Sequence, residues 1–337
     1  MKKFLKILGS IIGGILVFFL IINIIPPSKA VSNNPFIAEK GDIMVAAHRG
    51  GHIHNPQNTI KAFDAAVNEF DVDILEMDLV MTKDEEAVII HNEDINDYCD
   101  VVEVTGVDKT HYVKDFTYDE LQEFNFGYKF KDEEGNTPYK DLINEDNKNN
   151  RKNIIKENNL NIIKIEELFE RFYETNKDLL FIIEIKNSGE EGGYIVADKM
   201  NSLLTGKYKD YSDNVVIGTF NGEIERYLQD TYPSLLRGAS VDGATEFIVT
   251  QLLKVNLFST HTFACLQIPT EESAAGITLD LLSKDYVDRA HRRNIAVQYW
   301  TINDRETMEK IIELGADCIM TDNPKLLNEV LKEKGIK

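Results

Sequence analysis

His48-Arg49-Gly50, Glu76-Met77-Asp78 and His91 put two histidines, a guanidinium and paired carboxylates at the ends of three short apolar runs. These residue types suit metal-assisted attack on a phosphate. Carboxylates hold a hard cation, a guanidinium grips phosphate oxygens bidentately, and two imidazoles serve as general acid and base on opposite sides of a phosphoryl centre. Glu76 and Asp78 are two apart, so on a strand they share one face, and in a barrel that face is the inside. Buried together they need a neutralising partner. The alternation recurs at Glu184 and Lys186. Alone, this second pair reads as a strand-end ion pair; beside the first, Glu184 becomes a third carboxylate ligand. Lys186 then suits a phosphate oxygen or a developing alkoxide. An all-oxygen set favours one divalent cation, Ca²⁺ or Mg²⁺, over Zn²⁺, which recruits His or Cys.

The elements that must hold these groups are read from periodicity. Apolar runs at 43–47, 74–80 and 87–90 predict strands, with an amphipathic helix over 59–70 between the first two. Later strands are expected at 179–185, 215–219, 235–241, 264–268, 296–301 and 318–321. Helical patterns cover 117–126, 165–175, 193–204, 223–231, 244–255, 284–293, 305–314 and 325–334. This order predicts an α/β fold with parallel strands. A strand count near eight fits a closed (β/α)8 TIM barrel, and no Gly-x-Gly-x-x-Gly loop follows a strand to favour an open doubly wound sheet. Both His48 and His91 directly follow apolar strands, the catalytic end of a barrel strand. Residues 131–159, rich in Asn, Lys, Asp and Glu, break the alternation. They read as a solvated, flexible excursion in an insertion of about 93–160 after the third strand.

The chain has 337 residues, 43% of them hydrophobic, enough for a full core, and a formal net charge of −20. That acidity excludes broad polyanion binding, nucleic acid included, and means a phosphate site needs concentrated local positive charge. Lys2, Lys3 and Lys6 precede an apolar run at 7–25 that Pro26-Pro27 ends. Its length, about 19 residues, suits a bilayer span and exceeds a usual cleaved leader, although Ser28-Lys29-Ala30 offers a cleavable site. The expected organisation is a cytoplasmic basic stub (1–6), a transmembrane anchor or signal segment (7–25), a tether (26–41) and a catalytic barrel (42–337). The barrel is expected outside the cell membrane on a single pass, or secreted if the segment is cleaved. Cys99, Cys265 and Cys318 match neither a zinc spacing nor a disulfide framework and read as small buried hydrophobes.

Other conspicuous residues take plainer readings. His52 and His54 belong to a loop expected to be solvated, and His111, His261 and His291 show no partner in the sequence. Trp300 follows a strand and is read either as the floor of a pocket, an apolar wall for substrate carbons, or as plain core packing.

Ala47-His48-Arg49-Gly50, Pro56-Gln57-Asn58-Thr59, Glu76-Met77-Asp78, Thr82-Lys83-Asp84 and Ile90-His91-Asn92 together resemble the glycerophosphodiester phosphodiesterase family. Glu184-Ile185-Lys186, Trp300-Thr301-Ile302-Asn303 and the run from Gly315 to Pro324 extend the resemblance over about 43–335. It implies a (β/α)8 barrel that hydrolyses glycerophosphodiesters to glycerol 3-phosphate and an alcohol with a divalent ion. By position, His48 and His91 would be acid and base, Glu76, Asp78 and Glu184 would hold the metal, and Arg49 and Lys186 would contact phosphate. Three departures stand out. Gln57 replaces a common Glu, Asn92 replaces the usual Asp, and 93–98 lacks the family's Arg-Thr-Thr run, which bears on the identity of the alcohol. Two further readings are a lysophospholipase D-like activity on membrane lipids and a catalytically silent surface-binding module. The sequence sets no oligomeric state.

Overall fold

The computed structural model describes residues 2–274 and 276–337. Runs of Val, Ile, Leu and Ala flanked by loops form short strands, numbered in chain order: β1 (Met44–Ala47), β2 (Ile74–Met81), β3 (Ala87–Ile89), β4 (Leu180–Ile185), β5 (Val215–Gly218), β6 (Leu236–Arg237), β7 (Cys265–Ile268), β8 (Glu271–Ala274), β9 (Ile277–Asp280), β10 (Ala296–Tyr299) and β11 (Cys318–Thr321). The helices are α1 (Lys2–Ile24), α2 (Ile60–Asn68), α3 (Val101–Thr105), α4 (Tyr118–Leu121), α5 (Arg151–Glu157), α6 (Ile165–Phe172), α7 (Tyr194–Thr205), α8 (Gly222–Thr231), α9 (Val241–Leu252), α10 (Lys284–Arg292), α11 (Arg305–Leu314) and α12 (Pro324–Lys334).

Parallel pairing runs β6-β5-β4-β2-β1-β11-β10-β7. A parallel bridge between Gly238 and Cys265, with Ala264 N–H donating to Arg237 at 2.7 Å, brings β6 against β7 and closes the barrel. Alternation along the staves sorts side chains into two cores. Ala46, Ile74, Ile182, Val216, Cys265, Cys318 and Met320 fill the lumen, while Val45, Leu75, Phe181, Ile217 and Val297 face the helices. All three cysteines are free and buried, as expected of small hydrophobes.

The expected third strand is not a stave. β3 pairs antiparallel with β2, Leu79 opposite Ile89 and Met81 opposite Ala87. β2, at 8 residues, is twice as long as β1, so it overshoots the rim and β3 folds back along it. The insertion therefore lies between the second and third staves, β2 and β4. It is also less loose than composition suggests, because Val80, Ile90, Cys99, Val113, Leu121, Phe124 and Ile162 form a second core beneath it. Arg151, within the polar run, donates to Asp100 at 2.6 Å, and Ile155 beside it is buried.

The segment expected to be a tether packs against the end of the barrel where the strands begin. Asn34 donates to the carbonyls of Ala264 and Asn294 at 2.8 and 2.9 Å, and Phe36 is fully buried in the lumen cluster. α1 projects beyond it with nearly every side chain exposed, and 22 of its residues are long and apolar enough to cross a membrane. Its last turns meet the α9 and α10 ends on that same side: Asn23 donates to Lys254 O at 3.0 Å and Arg292 to Ile25 O at 2.9 Å.

Candidate active site

The opposite end of the barrel, where strands finish, carries the charged residues. After β1 the chain turns sharply through His48, Arg49 and Gly50, with Arg49 at φ 53° and Gly50 at φ 85°. Gly50 is required there twice over. Its φ is in the left-handed region, and a Cβ would stand 2.7 Å from the Cβ of Ala62 on α2. The turn aims the Arg49 backbone N–H at Glu76 Oε2, 2.9 Å away. Arg49's guanidinium then reaches Gln57 Oε1 at 3.0 Å and lies 3.5 Å from Asp78 Oδ2. Gln57, neutral where the resemblance suggests Glu, orients the guanidinium without cancelling its charge.

Glu76, Asp78 and Glu184 converge as the two-residue spacing predicts. Asp78 sits opposite Glu184 in the β2–β4 register, and one oxygen from each of the three lies within 4.8 Å of the others. Lys186 Nζ bridges Asp78 Oδ1 at 3.1 Å and Glu184 Oε1 at 2.9 Å. Three carboxyls thus face two cations. Burial, with Asp78 nearby, pushes Glu76 well above the usual carboxylate range, and burial lifts Glu184 to about 7 against the pull of Lys186. Lys186 itself is held above its ordinary value: burial works against its charge, but Asp78 and Glu184 outweigh it. The acidic groups remain short of positive charge. An oxygen-only set of that kind fits a divalent cation, which would let all three ionise together.

The β3 fold-back explains His91. Ile90 N–H donates to Asp78 O at 2.9 Å, so the next residue arrives at the level of the carboxylates although it follows no stave. His91 Nδ1 pairs with Asn92 Oδ1 at 2.6 Å, and burial lowers the imidazole to about 4. Asn92, being neutral, adds no charge to oppose that. His48 is held differently: its Nδ1 lies 2.5 Å from Asp322 Oδ1 and its Nε2 3.9 Å from Glu76 Oε2. Burial lowers His48 too, with Asp322 pulling the other way. With the proton placed on Nδ1 of each ring, both leave Nε2 free.

Asp322 was not singled out by the residue reading, yet it organises this side. His52 Nε2 lies 2.9 Å from the same oxygen as His48, and Asn303 donates to the other at 2.7 Å. Burial alone would raise Asp322, but the bonds from His48 and His52 hold it far below the usual range. The signal in the chain was its place directly after the last strand. His52 and His54 are accordingly not free loop residues. His54 bridges Glu133 of the insertion and Asn323 beyond β11, each at 3.1 Å.

These groups open into a cavity of about 430 Å³ lined by His48, Arg49, Glu76, Asp78, His91, Glu184 and Lys186 at one pole. The other pole is apolar: Trp300, expected as a pocket wall, is joined there by Phe220, Val241, Ile248, Val249 and Leu279, which the sequence did not mark. Trp300 lies edge-on to Phe220 at 5.6 Å between ring centres, so it is a wall of this cavity rather than core packing alone. Such an arrangement can grip an anionic centre between two cations, exchange protons from two imidazoles and seat a less polar group beside them.

The sequence profile described as the glycerophosphoryl diester phosphodiesterase family matches residues 48–326. A glycerophosphodiester phosphodiesterase of Caldanaerobacter subterraneus is 26% identical over 294 residues, covering 87% of this chain and 99% of the relative. The human lysophospholipase D is 27% identical over 301 residues, covering 85% of each chain. Among solved structures, a phosphodiesterase from Oleispira antarctica in complex with sn-glycerol-3-phosphate superposes with a TM-score of 0.59 at 16% identity, covering 86% of this chain and 97% of that one. At that identity the likeness speaks for the barrel.

Proposed function

The chain belongs to the glycerophosphoryl diester phosphodiesterase family, and from that premise we propose that it hydrolyses glycerophosphodiesters to glycerol 3-phosphate and an alcohol. The observation that carries the reading is the convergence of Glu76, Asp78, Glu184, Arg49, Lys186, His48 and His91 on one cavity. Arg49 and Lys186 bind the non-bridging phosphate oxygens. Their reach to Asp78 keeps both cations at the floor of the site, aimed at whatever anion enters. His48 and His91 present Nε2 lone pairs; one accepts the proton of the attacking oxygen and the other, once charged, returns a proton to the departing alkoxide. Asp322 fixes the ring orientation of His48 and favours its charged form, which a base must reach mid-reaction.

Glu76, Asp78 and Glu184 would hold one divalent cation, Ca²⁺ or Mg²⁺, whose charge would offset the phosphate's and lower the pKa of a bound nucleophile. The excess of buried carboxyls over cations supports this. A silent binding module is disfavoured because each acid, base and ligand position is filled by a competent side chain. We place residues 7–25 as a membrane span, or a cleaved signal, with the barrel on the extracytoplasmic side; the exposed apolar α1 behind three lysines supports that orientation.

The test is a panel of glycerophosphocholine, glycerophosphoethanolamine and glycerophosphoglycerol, assayed for glycerol 3-phosphate with and without chelator. Turnover that chelator abolishes and Ca²⁺ or Mg²⁺ restores is expected. Hydrolysis unaffected by chelator would remove the metal, and binding without turnover would favour the silent module.

A further inference from the structure

Three large apolar side chains cluster where α9 ends: Leu252, Leu253 and Phe258 are 51%, 61% and 59% exposed. Single exposed apolar residues are ordinary, but a group of this size at one corner of an acidic barrel is not. The same corner receives α1. Phe258 stacks on Phe18 of α1 at 6.5 Å between ring centres and 15° between planes, and Phe19 lines one hollow with Leu252 and Leu253. Asn23, the polar residue near the end of the apolar run, has its amide satisfied here. It donates to Phe19 O at 2.8 Å and to Lys254 O at 3.0 Å, and its oxygen accepts from Arg289 at 3.1 Å. An amide at the edge of hydrocarbon is costly unless bonded, so these bonds set the height of α1 against the barrel.

That height decides what Phe258 touches. Phe18 lies six residues before the end of α1 at Ile24, about 9 Å along the axis at 1.5 Å per residue. The apolar run from 7 to 25 is about 28 Å long by the same measure, against a hydrocarbon core of about 30 Å. A spanning α1 therefore cannot rise far enough to lift Phe18 clear without drawing Lys6 into the core. Phe258, stacked on that ring, then sits inside the bilayer edge, at the depth of about 5–10 Å where interfacial apolar faces settle. Lys254 is exposed, and Arg292 donates to Ile25 O at 2.9 Å; both stand near the end of α1, where their stems can carry charge out to headgroups.

We propose that Leu252, Leu253 and Phe258 form a lipid-docking patch that seats the base of the barrel in the leaflet from which α1 emerges and holds the catalytic mouth away from it. This rests on the reading of α1 as a membrane span. α9 runs from the patch to the cavity, whose wall includes Val241 at its first turn, so its 12 residues, about 18 Å, separate bilayer from site. α1 and the patch give the barrel two attachments to one surface. Together they fix its tilt, which a lone helix on a flexible tether would leave free, and the mouth opens to the aqueous phase.

The test places the full-length protein in phosphatidylcholine vesicles and changes one exposed residue at a time to cysteine, for labelling with an environment-sensitive fluorophore. Cys99, Cys265 and Cys318 are buried and stay unlabelled. The vesicles carry a spin-label quencher either near the top of the acyl chain or at its end. Ile12→Cys, midway along α1, reports the span and should be quenched most by the deep label. Leu253→Cys and Phe258→Cys should be quenched most by the shallow label, while Val107→Cys in the insertion, 46% exposed, should stay aqueous. Adding Leu252→Asp to Phe258→Cys should weaken that quenching by about twofold or more and leave the unfolding midpoint in place. A quenched Ile12→Cys with Leu253→Cys and Phe258→Cys in water overturns the docking and keeps the span. An unquenched Ile12→Cys removes the span and the proposal with it. Labels at the patch that are shielded from water yet quenched by neither lipid mean that protein covers the corner, a second copy included, and the proposal falls.

Discussion

The two poles of the catalytic cavity are built by different means. At the charged pole, side chains from β1, β2, β4 and the β3 fold-back are locked by one another: Arg49 by Gln57 and Glu76, Lys186 by two carboxylates, His48 by Asp322. At the apolar pole Phe220, Val241 and Val249 stand about half exposed, and only ring and side-chain packing, such as Phe220 edge-on to Trp300, holds them. A rigid pole can stabilise one distribution of charge; a loose apolar one can accept groups of several shapes. On the proposed reading chemistry and substrate choice are separated in space, and substitutions should separate them in kinetics.

The sharpest way to break that division is to remove a proton carrier. His91→Ala should lower kcat for every diester by about 10²–10⁴-fold, read by steady-state assay, with alcohols of all sizes affected alike. Asp322→Asn should cost about a hundredfold in kcat while leaving KM nearly unchanged, because it loosens His48 rather than the substrate. Gly50→Ala tests the backbone beneath this pole. The clash with Ala62 and the left-handed φ together should cost about 1–3 kcal/mol of stability in a denaturant titration.

A smaller effect concerns protons. Burial holds His91 at about 4, below its unfolded value, so its neutral ring stabilises the fold fully above about pH 6.5, and that contribution is lost as pH falls through 4. The acid limb of kcat/KM should lie in the same window, and Asn92→Asp, by placing a carboxylate on Nδ1, should move it upward by about one unit. Least of all, Trp300→Ala at the apolar pole should raise KM about three- to tenfold and spare kcat. A matching loss of kcat would mean the poles are not independent.

Much of the charged pole was legible because a period of two on a strand commits side chains to one face. Glu76 with Asp78, and Glu184 with Lys186, needed no more than that. His91 was found for a partly mistaken reason: it lies at the site although β3 is no stave, and only the length of β2 hinted at the fold-back. His52, His54 and Asp322 escaped because their bonds join positions some 270 residues apart, which no local pattern records. The place of α9 on the cavity wall was hidden by its own composition. An apolar helix reads the same whether its second face meets protein, lipid or water, and β6, at 2 residues, gave little warning of where α9 would begin.

Phe36 and Asn34 carry a last consequence. Both lie beyond Ser28-Lys29-Ala30, and both close the floor of the barrel. A peptidase cut after Ala30 would forfeit α1 with its bonds to Lys254, Arg289 and Arg292 and the bond from Ala30 N–H to Arg293 O, yet leave that floor in place. Without residues 1–30 the barrel would keep both its closed floor and the mouth at its other end, so the architecture of the site does not depend on whether the apolar segment stays attached.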